Sequence, residues 1–550
     1  MFHYQTERTS DVHYYLSILN SELSFFWACP PFLIIIKSPI SRKHGKKEPI
    51  PDLDKKHAFL AESATTLAKK ILQKELKSED LVRAVIERIK EVNPILNAIA
   101  VDRYETAIAE AKEVDEKIAS GLTDEEAHKK PFLGVPFTTK ESQAIKGMPL
   151  TVGLWSRRNE VASEDSEAIV RMKEAGAIVL AATNLPELLI WQETRNNVYG
   201  MTNNPHHTGR SPGGSSGAEA ALTASYATAI SLCSDIGGST RMPAFYCGMF
   251  GHHPTPGTTN LRGVFFRKGD ETDKDTMFAL GFISKHVEDL APLTKIVAGD
   301  KAPMLKLDRE VDIKELINRD YYIDNCKEKF EIQRLELIER RGKIFRKFRK
   351  KIGKVITKIG KDVTNADNAP QPYHHEGFKH MYALWKYWMT QEPDTKALFT
   401  NNNGEPNALA ELGKKLIGQS NHCLFSISRL LEDTFLPKPD AQWAEKLTKE
   451  FKEDLFGKLG DNGVLLLPSA PQVAPFHYSC LLRPFNFAYF AVVNALKCPA
   501  TQVPLGADSE GLPLGIQVLA APYNDALCLS VAKYLEKEFG GPVMACKIKQ

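Results

Sequence analysis

Short apolar runs alternate with helical patterns along most of the chain. Leu81, Val85 and Ile89 lie on one stripe of a predicted helix, the spacing of a helix that packs one face on a core. The apolar stretch that starts at Phe132 is rich in β-branched residues and runs to Lys140. This pattern predicts a buried strand with a lysine at its end.

The same order of elements recurs further along the chain. A helical pattern stops at Gly176 and is followed by an apolar strand over residues 178–182. Near the C-terminus "LPLGIQVLAAP" predicts a strand, and residues 525–539 predict an amphipathic helix that ends at Gly540. Apolar strands between helices are typical of a sheet covered on both faces, so the pattern predicts an α/β fold.

The N-terminal segment differs from the rest of the chain. Residues 14–36 read "YYLSILNSELSFFWACPPFLIII", long enough to cross about 30 Å of hydrocarbon as a helix. Asn20, Glu22 and the pair Pro30-Pro31 interrupt this run. Basic residues follow it, which favours a cytosolic main domain if the run inserts. We interpret residues 1–50 as a hydrophobic and basic leader, a candidate membrane anchor, and 51–550 as the main domain. A disordered leader or a wrong start codon are the alternatives.

Composition narrows the class of protein. The chain has 550 residues, 43% of them hydrophobic, so it can bury a large core. The net charge of +3 gives no global field that would steer the protein to nucleic acid. Nine scattered cysteines, an odd number, indicate reduced thiols in an intracellular compartment rather than a disulfide framework.

One glycine- and serine-rich stretch, "SPGGSSGAEAALTASYATAISLCSDIGGSTRMPA" over residues 211–244, is open to several interpretations. A flexible linker is one. A nucleophile elbow fits the letters G-x-S-x-G but needs a buried strand before the serine, and "NNPHHTGRSP" is no such strand. A phosphate loop fails because no Gly-Lys-Ser/Thr ends the run. The three His-His pairs lack a metal-binding motif, so no metal site is expected.

A longer pattern is more specific. Ser215 lies 75 residues after Lys140, and Ser239 lies 24 residues after Ser215. With the segments "GVPFTTKES", "GAIVLAATNLPEL", "NNPHHTGRSPGGSSGAE" and "GLPLGIQVLAAPYND", this pattern resembles the amidase signature family over about residues 60–542. The segments "LRPFNFAY" and "YLEKEFGG" and the hydrophobic N-terminus most resemble its membrane-associated fatty-acid amide hydrolases.

The resemblance implies a fold and a mechanism. The amidase signature fold is one twisted mixed β-sheet surrounded by many α-helices. In the family's Ser-Ser-Lys triad, Ser239 attacks the amide carbonyl and forms an acyl-enzyme, Ser215 relays protons, and a neutral Lys140 is the base. No cofactor is implied. Burial at the end of an apolar strand would give Lys140 the lowered pKa that this role requires.

Two further groups surround the triad by resemblance. The backbone oxyanion hole consists of Ile236, Gly237, Gly238 and Ser239. The supporting residues are Ser216, Asp235 and Arg241. Ala218 and His253 stand where the family usually has glycine and lysine, which puts substrate fit in doubt rather than reaction class.

The expected substrate is a fatty-acid amide. Leu188, Leu189, Ile190 and Trp191 follow "TNLPE" where fatty-acid amide hydrolases line their acyl channel, although a core helix would have the same composition. An amidase for small polar amides, an amidotransferase-like subunit and a catalytically idle membrane-associated scaffold remain the alternatives.

Partners and location follow from the same resemblance. We expect an intracellular, membrane-associated protein with a cytosolic catalytic domain, no nucleic-acid partner, and a homodimer as one candidate assembly. A basic amphipathic helix over residues 340–361 is either a domain helix with a solvated face or an interfacial membrane helix.

Overall fold

The computed structural model describes only part of the chain. The described residues are 48–265, 267, 269, 275–309, 321–322, 353–355, 357–358, 371–393, 396–400 and 403–550. The apolar N-terminal run and most of the predicted basic helix over 340–361 lie outside these ranges.

An eleven-stranded mixed sheet forms the centre of the described structure. The strands are β1 (Ile99–Asp102), β2 (Pro136–Lys140), β3 (Ile178–Thr183), β6 (Ile230–Asp235), β7 (Phe250–His253), β8 (Ala279–Ser284), β9 (Tyr321–Tyr322), β10 (Gln371–Pro372), β11 (Val464–Pro468), β12 (Ala500–Ala507) and β13 (Pro513–Ala520). Their order is β1-β3-β2-β6-β8-β7-β12-β13-β11-β9-β10. A separate hairpin pairs β4 (Arg195–Asn196) with β5 (Gly200–Met201).

Helices surround this sheet. In chain order they are α1 (Ala64–Leu72), α2 (Ser78–Leu96), α3 (Tyr104–Ser120), α4 (Asp124–His128), α5 (Glu167–Glu174), α6 (Gly217–Thr223), α7 (Arg241–Cys247), α8 (Leu290–Ala298), α9 (Met381–Met389), α10 (Lys396–Phe399), α11 (Ala408–Leu416), α12 (Leu424–Phe435), α13 (Ala441–Leu459), α14 (Ala488–Leu496) and α15 (Asp525–Phe539). Short 3₁₀ helices lie at Lys55–Ala61, Trp155–Arg157, Glu187–Leu189, Val287–Asp289, Gly299–Leu305, Glu376–His380 and Ser479–Leu482. The prediction of an α/β fold with a mixed sheet is confirmed.

Both faces of the sheet are buried. Along β11, Val464 and Leu466 pack into the main core beneath α2 and α15, whereas Leu465 and Leu467 pack into a second core with α9, α13 and α14. Successive side chains of a strand point to opposite faces. The unbroken apolar run of β11 is therefore explained by a core on each side.

Several predicted elements match the structure closely. The predicted helix with Leu81, Val85 and Ile89 on one stripe is α2. The strand that ends in lysine is β2, and the strand over 178–182 is β3 with one residue more. The C-terminal helix α15 ends at Gly540, which has a φ of +94°. Glycine adopts this left-handed conformation without the steric cost that other residues have.

The described chain joins the core earlier than the leader prediction implies. Ile50, which we had placed in the leader, is buried in the main core. Leu53 is also buried and exchanges backbone hydrogen bonds with the C-terminal segment at Lys547 and Lys549. Any truncation that is meant to leave the core intact must therefore end before Ile50.

The order of the strands positions the candidate site. Strands β2 and β6 are parallel neighbours, so their carboxyl ends lie at the same edge of the sheet. Strand β2 ends at Lys140, and β6 ends at Asp235, directly before the Ile-Gly-Gly-Ser turn. In α/β sheets this edge is where ligands are usually bound.

Candidate active site

Lys140 lies at the centre of a buried group of hydroxyls. Its side chain is fully buried, and Nζ lies 2.6 Å from Ser215 Oγ and 3.0 Å from Ser234 Oγ. Burial lowers the pKa of Lys140 to about 7, although Cys233, Asp235 and Glu219 act in the opposite direction. A lysine with this pKa is neutral in a large fraction of molecules near pH 7, so it can accept a proton.

Close contact between two backbones holds Ser215 against Lys140. A Cβ on Gly214 would overlap the carbonyl oxygen of Trp191, and Gly213 has a φ of +93°. The Gly214–Ser215 peptide bond is cis. Only glycine fits at these two positions without strain or collision.

The turn after β6 presents backbone N–H groups at the same edge of the sheet. Within the part of the chain that the structure describes, no acceptor bonds the N–H groups of Ile236, Gly237 and Ser239. The fourth group differs from the expectation, because the Gly238 N–H donates to Asp235 Oδ1 at 2.7 Å. Among the described residues, three of the four N–H groups thus have no acceptor, and Gly238, with a φ of +104°, is the residue that turns the chain.

Ser216 and Ser239 connect the two glycine-rich segments. The Ser216 N–H donates to the carbonyl oxygen of Ser239 at 3.1 Å. The Ser239 residue is partly exposed, whereas Lys140, Ser215 and Ser216 are buried. Ser239 is therefore the most exposed of the three members of the predicted triad.

Asp235 and Arg241 form a fully buried ion pair behind the turn. Arg241 Nη2 lies 3.0 Å from Asp235 Oδ1, and Nε lies 3.1 Å from Oδ2. Asn494 and the backbone N–H of Thr240 also donate to this carboxylate. Burial opposes ionisation of Asp235, but the positive charge of Arg241, the charge interaction with His253 and these hydrogen bonds together outweigh it and hold the pKa of Asp235 well below its usual range.

Trp385 is a site residue that the sequence did not indicate. Its indole N–H donates to the carbonyl oxygen of Ile236 at 2.9 Å. A Cβ on Gly237 would make close contact with the Trp385 ring. Trp385 belongs to α9, far along the chain from the turn. No motif or spacing signals such a contact, which depends on how α9 packs against the sheet.

The predicted acyl-binding run lies beside the same loops. Leu188 is buried in a third apolar cluster with residues of α12, and the Trp191 indole stacks on Phe425 at 5.2 Å. The run is no core helix: Glu187–Leu189 is a short 3₁₀ turn in which Leu188 and Leu189 have φ values of +57° and +65°. The four predicted residues thus connect the third cluster to the loop that carries Ser215.

Glu187, just before this run, fixes its position. Its carboxylate accepts a hydrogen bond from the Cys423 N–H at 2.6 Å and contacts His422. Cys423 directly precedes α12, so the carboxylate ties the run to that helix.

Metal ligands are not grouped in this region. Within the described ranges, no three His, Cys, Asp or Glu side chains lie close enough together to hold a metal ion.

The family model described as Amidase matches residues 80–529, and the chain belongs to this family. Membership makes the protein a hydrolase that acts on amides.

Curated relatives and a solved structure are similar to the chain over most of its length. Fatty-acid amide hydrolase 2 of Homo sapiens is 39% identical over 513 residues, which are 91% of this chain and 92% of the relative. Fatty-acid amide hydrolase 2-B of Danio rerio is 36% identical over 491 residues, 88% of this chain and 90% of the relative. A solved structure titled "Fatty acid amide hydrolase" superposes with a TM-score of 0.67 at 20% identity, covering 89% of this chain and 87% of that chain, which supports the shared fold.

We expect Asp235→Asn to destabilise the protein by about 3–5 kcal/mol, because Arg241 would remain as a buried charge without its partner. Chemical denaturation at neutral pH measures this loss. Since the pKa of Asp235 is lowered, the ion pair contributes fully above about pH 4, and its contribution is lost as the pH falls through that region towards the lowered pKa. The difference between wild type and variant should therefore narrow in acid.

The matched control is Asp275→Asn, which removes a carboxylate paired with Lys497 but 89% exposed. We expect a change below about 0.5 kcal/mol for this exposed pair. Equal effects of the two substitutions would contradict a special role for the buried pair.

Proposed function

We propose that the protein hydrolyses fatty-acid amides through Ser239, Ser215 and Lys140. The observation that carries the proposal is the buried contact of 2.6 Å between Lys140 Nζ and Ser215 Oγ beside the Ile-Gly-Gly-Ser turn. A lysine without solvent, in contact with a serine hydroxyl, has the surroundings that a neutral base requires.

The proposed first half-reaction transfers the acyl group to the enzyme. Ser239 Oγ bonds to the amide carbon while its proton passes to Ser215 Oγ, and the Ser215 proton passes to Lys140 Nζ. The tetrahedral intermediate then loses its C–N bond, and the proton returns through Ser215 to the departing nitrogen. The products of this step are the free amine and an ester on Ser239.

Water completes the cycle by the same relay. A water molecule loses a proton towards Lys140 as its oxygen bonds to the ester carbon, and Ser239 Oγ leaves and is protonated again. The free N–H groups of Ile236, Gly237 and Ser239 would stabilise the oxyanion in both halves. Removing one such donor in other enzymes lowers kcat by roughly 10²–10³.

The acyl half of the substrate is proposed from the apolar run beside the site. Leu188 belongs to the third apolar cluster and Ile190 packs against it, and the other members of the cluster come largely from α10, α11 and α12. Trp191 stacks on Phe425, which also lies on α12. Two of the curated relatives, in Homo sapiens and Danio rerio, are fatty-acid amide hydrolases by name. Both observations favour a long apolar acyl chain over a small polar one.

A membrane source for the substrate is proposed from the N-terminal run. Residues 14–36 are apolar and are followed by basic residues. In the described part of the chain, no helix has both the length and the hydropathy needed to cross a bilayer. From the apolar run and its basic flank we propose that membrane attachment depends on the N-terminal segment, with the catalytic residues on the cytosolic side.

Ser239→Ala should abolish turnover and labelling by a fluorophosphonate, because it removes the nucleophile. Lys140→Ala should lower kcat/KM by about 10²–10⁴, the usual contribution of a general base. In wild type kcat/KM should rise with pH as Lys140 loses its proton near pH 7. This rise, the acid limb of the pH profile, should vanish in Lys140→Ala. The residual rate of that variant should increase in proportion to the hydroxide concentration.

Lys285→Ala is the matched control for the base. Lys285 is also buried, its pKa is lowered by burial to about 8, and it donates to the Thr228 carbonyl oxygen. We expect the acid limb to persist in this variant. Full activity in Lys140→Ala, or loss of the limb in both variants, would refute the proposed triad.

The acyl chain should determine most of the specificity, since each buried methylene contributes about 0.8 kcal/mol. We expect kcat/KM to rise steeply from short to long acyl amides measured below their critical micelle concentrations. Ile190→Asp should flatten this dependence by placing a charge beside the third apolar cluster. Met304→Asp, at a position 47% exposed on a 3₁₀ helix, should leave it unchanged.

Equal kcat/KM values for acetamide-like and oleamide-like substrates in wild type would contradict the proposed substrate class and favour small polar amides instead. A flat dependence in both aspartate variants would instead indicate a nonspecific effect of charge.

Deletion of residues 1–47 should move the protein from the membrane fraction towards the soluble fraction. This variant retains Ile50 and Leu53, which are buried in the core. Activity on a soluble short-chain amide should be retained, which shows that the truncated protein is folded. Unchanged sedimentation with membranes would place the attachment elsewhere, and residues 340–361 would be deleted next.

A further inference from the structure

Glu219 is a fully buried carboxylic acid that the proposed mechanism does not use. It lies on α6, four residues after Ser215. Its Oε2 accepts a hydrogen bond from Thr138 Oγ1 at 2.6 Å, and its Oε1 accepts one from Thr183 Oγ1 at 2.8 Å. The two hydroxyls come from different strands, so the carboxyl group is held by β2 and β3 at once.

The register of these strands places Glu219 on the same side of the sheet as Lys140. Thr138 and Lys140 are two residues apart on β2, so their side chains share a face. Thr183 is the partner of Lys140 in the parallel pairing of β2 with β3. A carboxyl group bonded to both threonines therefore lies on the face from which Lys140 reaches Ser215.

Three acidic groups raise the pKa of Lys140, and they differ in the charge that they carry. Asp235, at the end of β6, is neutralised by its ion pair with Arg241. Cys233, also on β6, is fully buried, and burial raises the pKa of its thiol well above the usual value, so it carries no charge. Glu219 on α6 is therefore the remaining acidic group that can act as a counter-charge for Lys140.

The groups that face Glu219 come from three strands. They are Thr138 and Lys140 on β2, Thr183 on β3, and Ser231 and Cys233 on β6. Of these five residues, Lys140 is the one whose side chain can carry a positive charge. Burial raises the pKa of Glu219 to about 7, while the hydroxyl donors and Lys140 act in the opposite direction.

We propose that Glu219 is a positioning residue that supplies the counter-charge for Lys140 whenever Lys140 holds the proton taken from the serines, an inference that rests on the proposed triad. The carboxylate touches neither the substrate nor Ser239. It acts through Lys140, because an ammonium without solvent is stable only beside an opposite charge. The two threonine hydroxyls hold the carboxylate in place for this purpose.

The variant Glu219→Gln tests this role, because the amide has nearly the same shape but no charge. The measurement is the rate at which a fluorophosphonate labels Ser239 in the full-length protein, followed as a function of pH. Loss of the negative charge lowers the proton affinity of Lys140, so the acid limb should move to lower pH by about one unit. The plateau rate should fall by up to about tenfold, because the base is weaker.

Glu141→Gln is the matched control. Glu141 directly follows Lys140 and is equally buried, but its carboxylate accepts from the N–H groups of Thr151 and Val152 and from the Tyr199 hydroxyl. It faces a loop rather than Lys140. The acid limb should stay at its wild-type position in this variant even if its stability falls.

Thr183→Val provides a second route that keeps the carboxylate. Loss of one hydroxyl donor raises the proton affinity of Glu219, so part of the counter-charge is lost and the limb should shift in the same direction by a smaller amount. In the Glu219→Gln background the same substitution should cause no further shift. Thr183→Val decides the question if Glu219→Gln does not fold.

The outcomes separate the two proposals. Absence of labelling in wild type, or labelling that survives Ser239→Ala, refutes the triad itself. An acid limb that depends on Lys140 but stays in place in Glu219→Gln and Thr183→Val refutes the counter-charge. An equal shift in Glu141→Gln also refutes it, because the effect would then belong to any buried acid.

Discussion

The burial of Lys140 is the constraint on which the rest of the site depends. An ammonium in the interior is strongly disfavoured, so a lysine at the carboxyl end of a central strand is driven towards its neutral form. The contact of 2.6 Å with Ser215 then connects a base to a hydroxyl without intervening solvent. In the proposed mechanism this lysine holds a proton transiently. Asp235 and Glu219 both act on its pKa, and the charge of Asp235 is neutralised by its ion pair with Arg241.

Close packing of glycine backbones keeps these groups together. Gly214 lies against the carbonyl of Trp191, and Gly238 lies against Phe490 so tightly that a Cβ at either position would collide. Bringing two loops this close needs support from behind, which comes from the ion pair of Asp235 with Arg241. A partner lost from such a buried pair costs about 3–5 kcal/mol, far more than an exposed pair contributes, so the scaffold of the turn depends on it.

The elements and catalytic candidates could be predicted because their signals are local. Lys140 ends a run of strand-forming residues, and Ser215 and Ser239 lie in motifs of contiguous residues. Trp385 and the contacts of Glu219 could not, because they join elements far apart in the chain and depend on strand register and helix packing. The hydrogen bond from the Gly238 N–H to Asp235 could not be predicted either, because the sequence does not show which backbone N–H groups have an acceptor. The apolar residues from Leu188 to Trp191 were equally compatible with a core helix, because composition does not show the backbone conformation.

The run from Leu188 to Trp191 couples the apolar cluster to the catalytic loop. Two consecutive leucines in the left-handed region cost roughly 1–3 kcal/mol each. Burial of Leu188 contributes about 1.5–3 kcal/mol of stabilisation. The hydrogen bond that the Glu187 carboxylate accepts from the Cys423 N–H contributes about as much again. The strained conformation therefore depends on the position of α12. The ring of Trp191 contacts Phe425 on α12, and its carbonyl contacts Gly214 beside Ser215. The run that packs into the apolar cluster through Leu188 and Ile190 therefore also contacts the loop that carries Ser215.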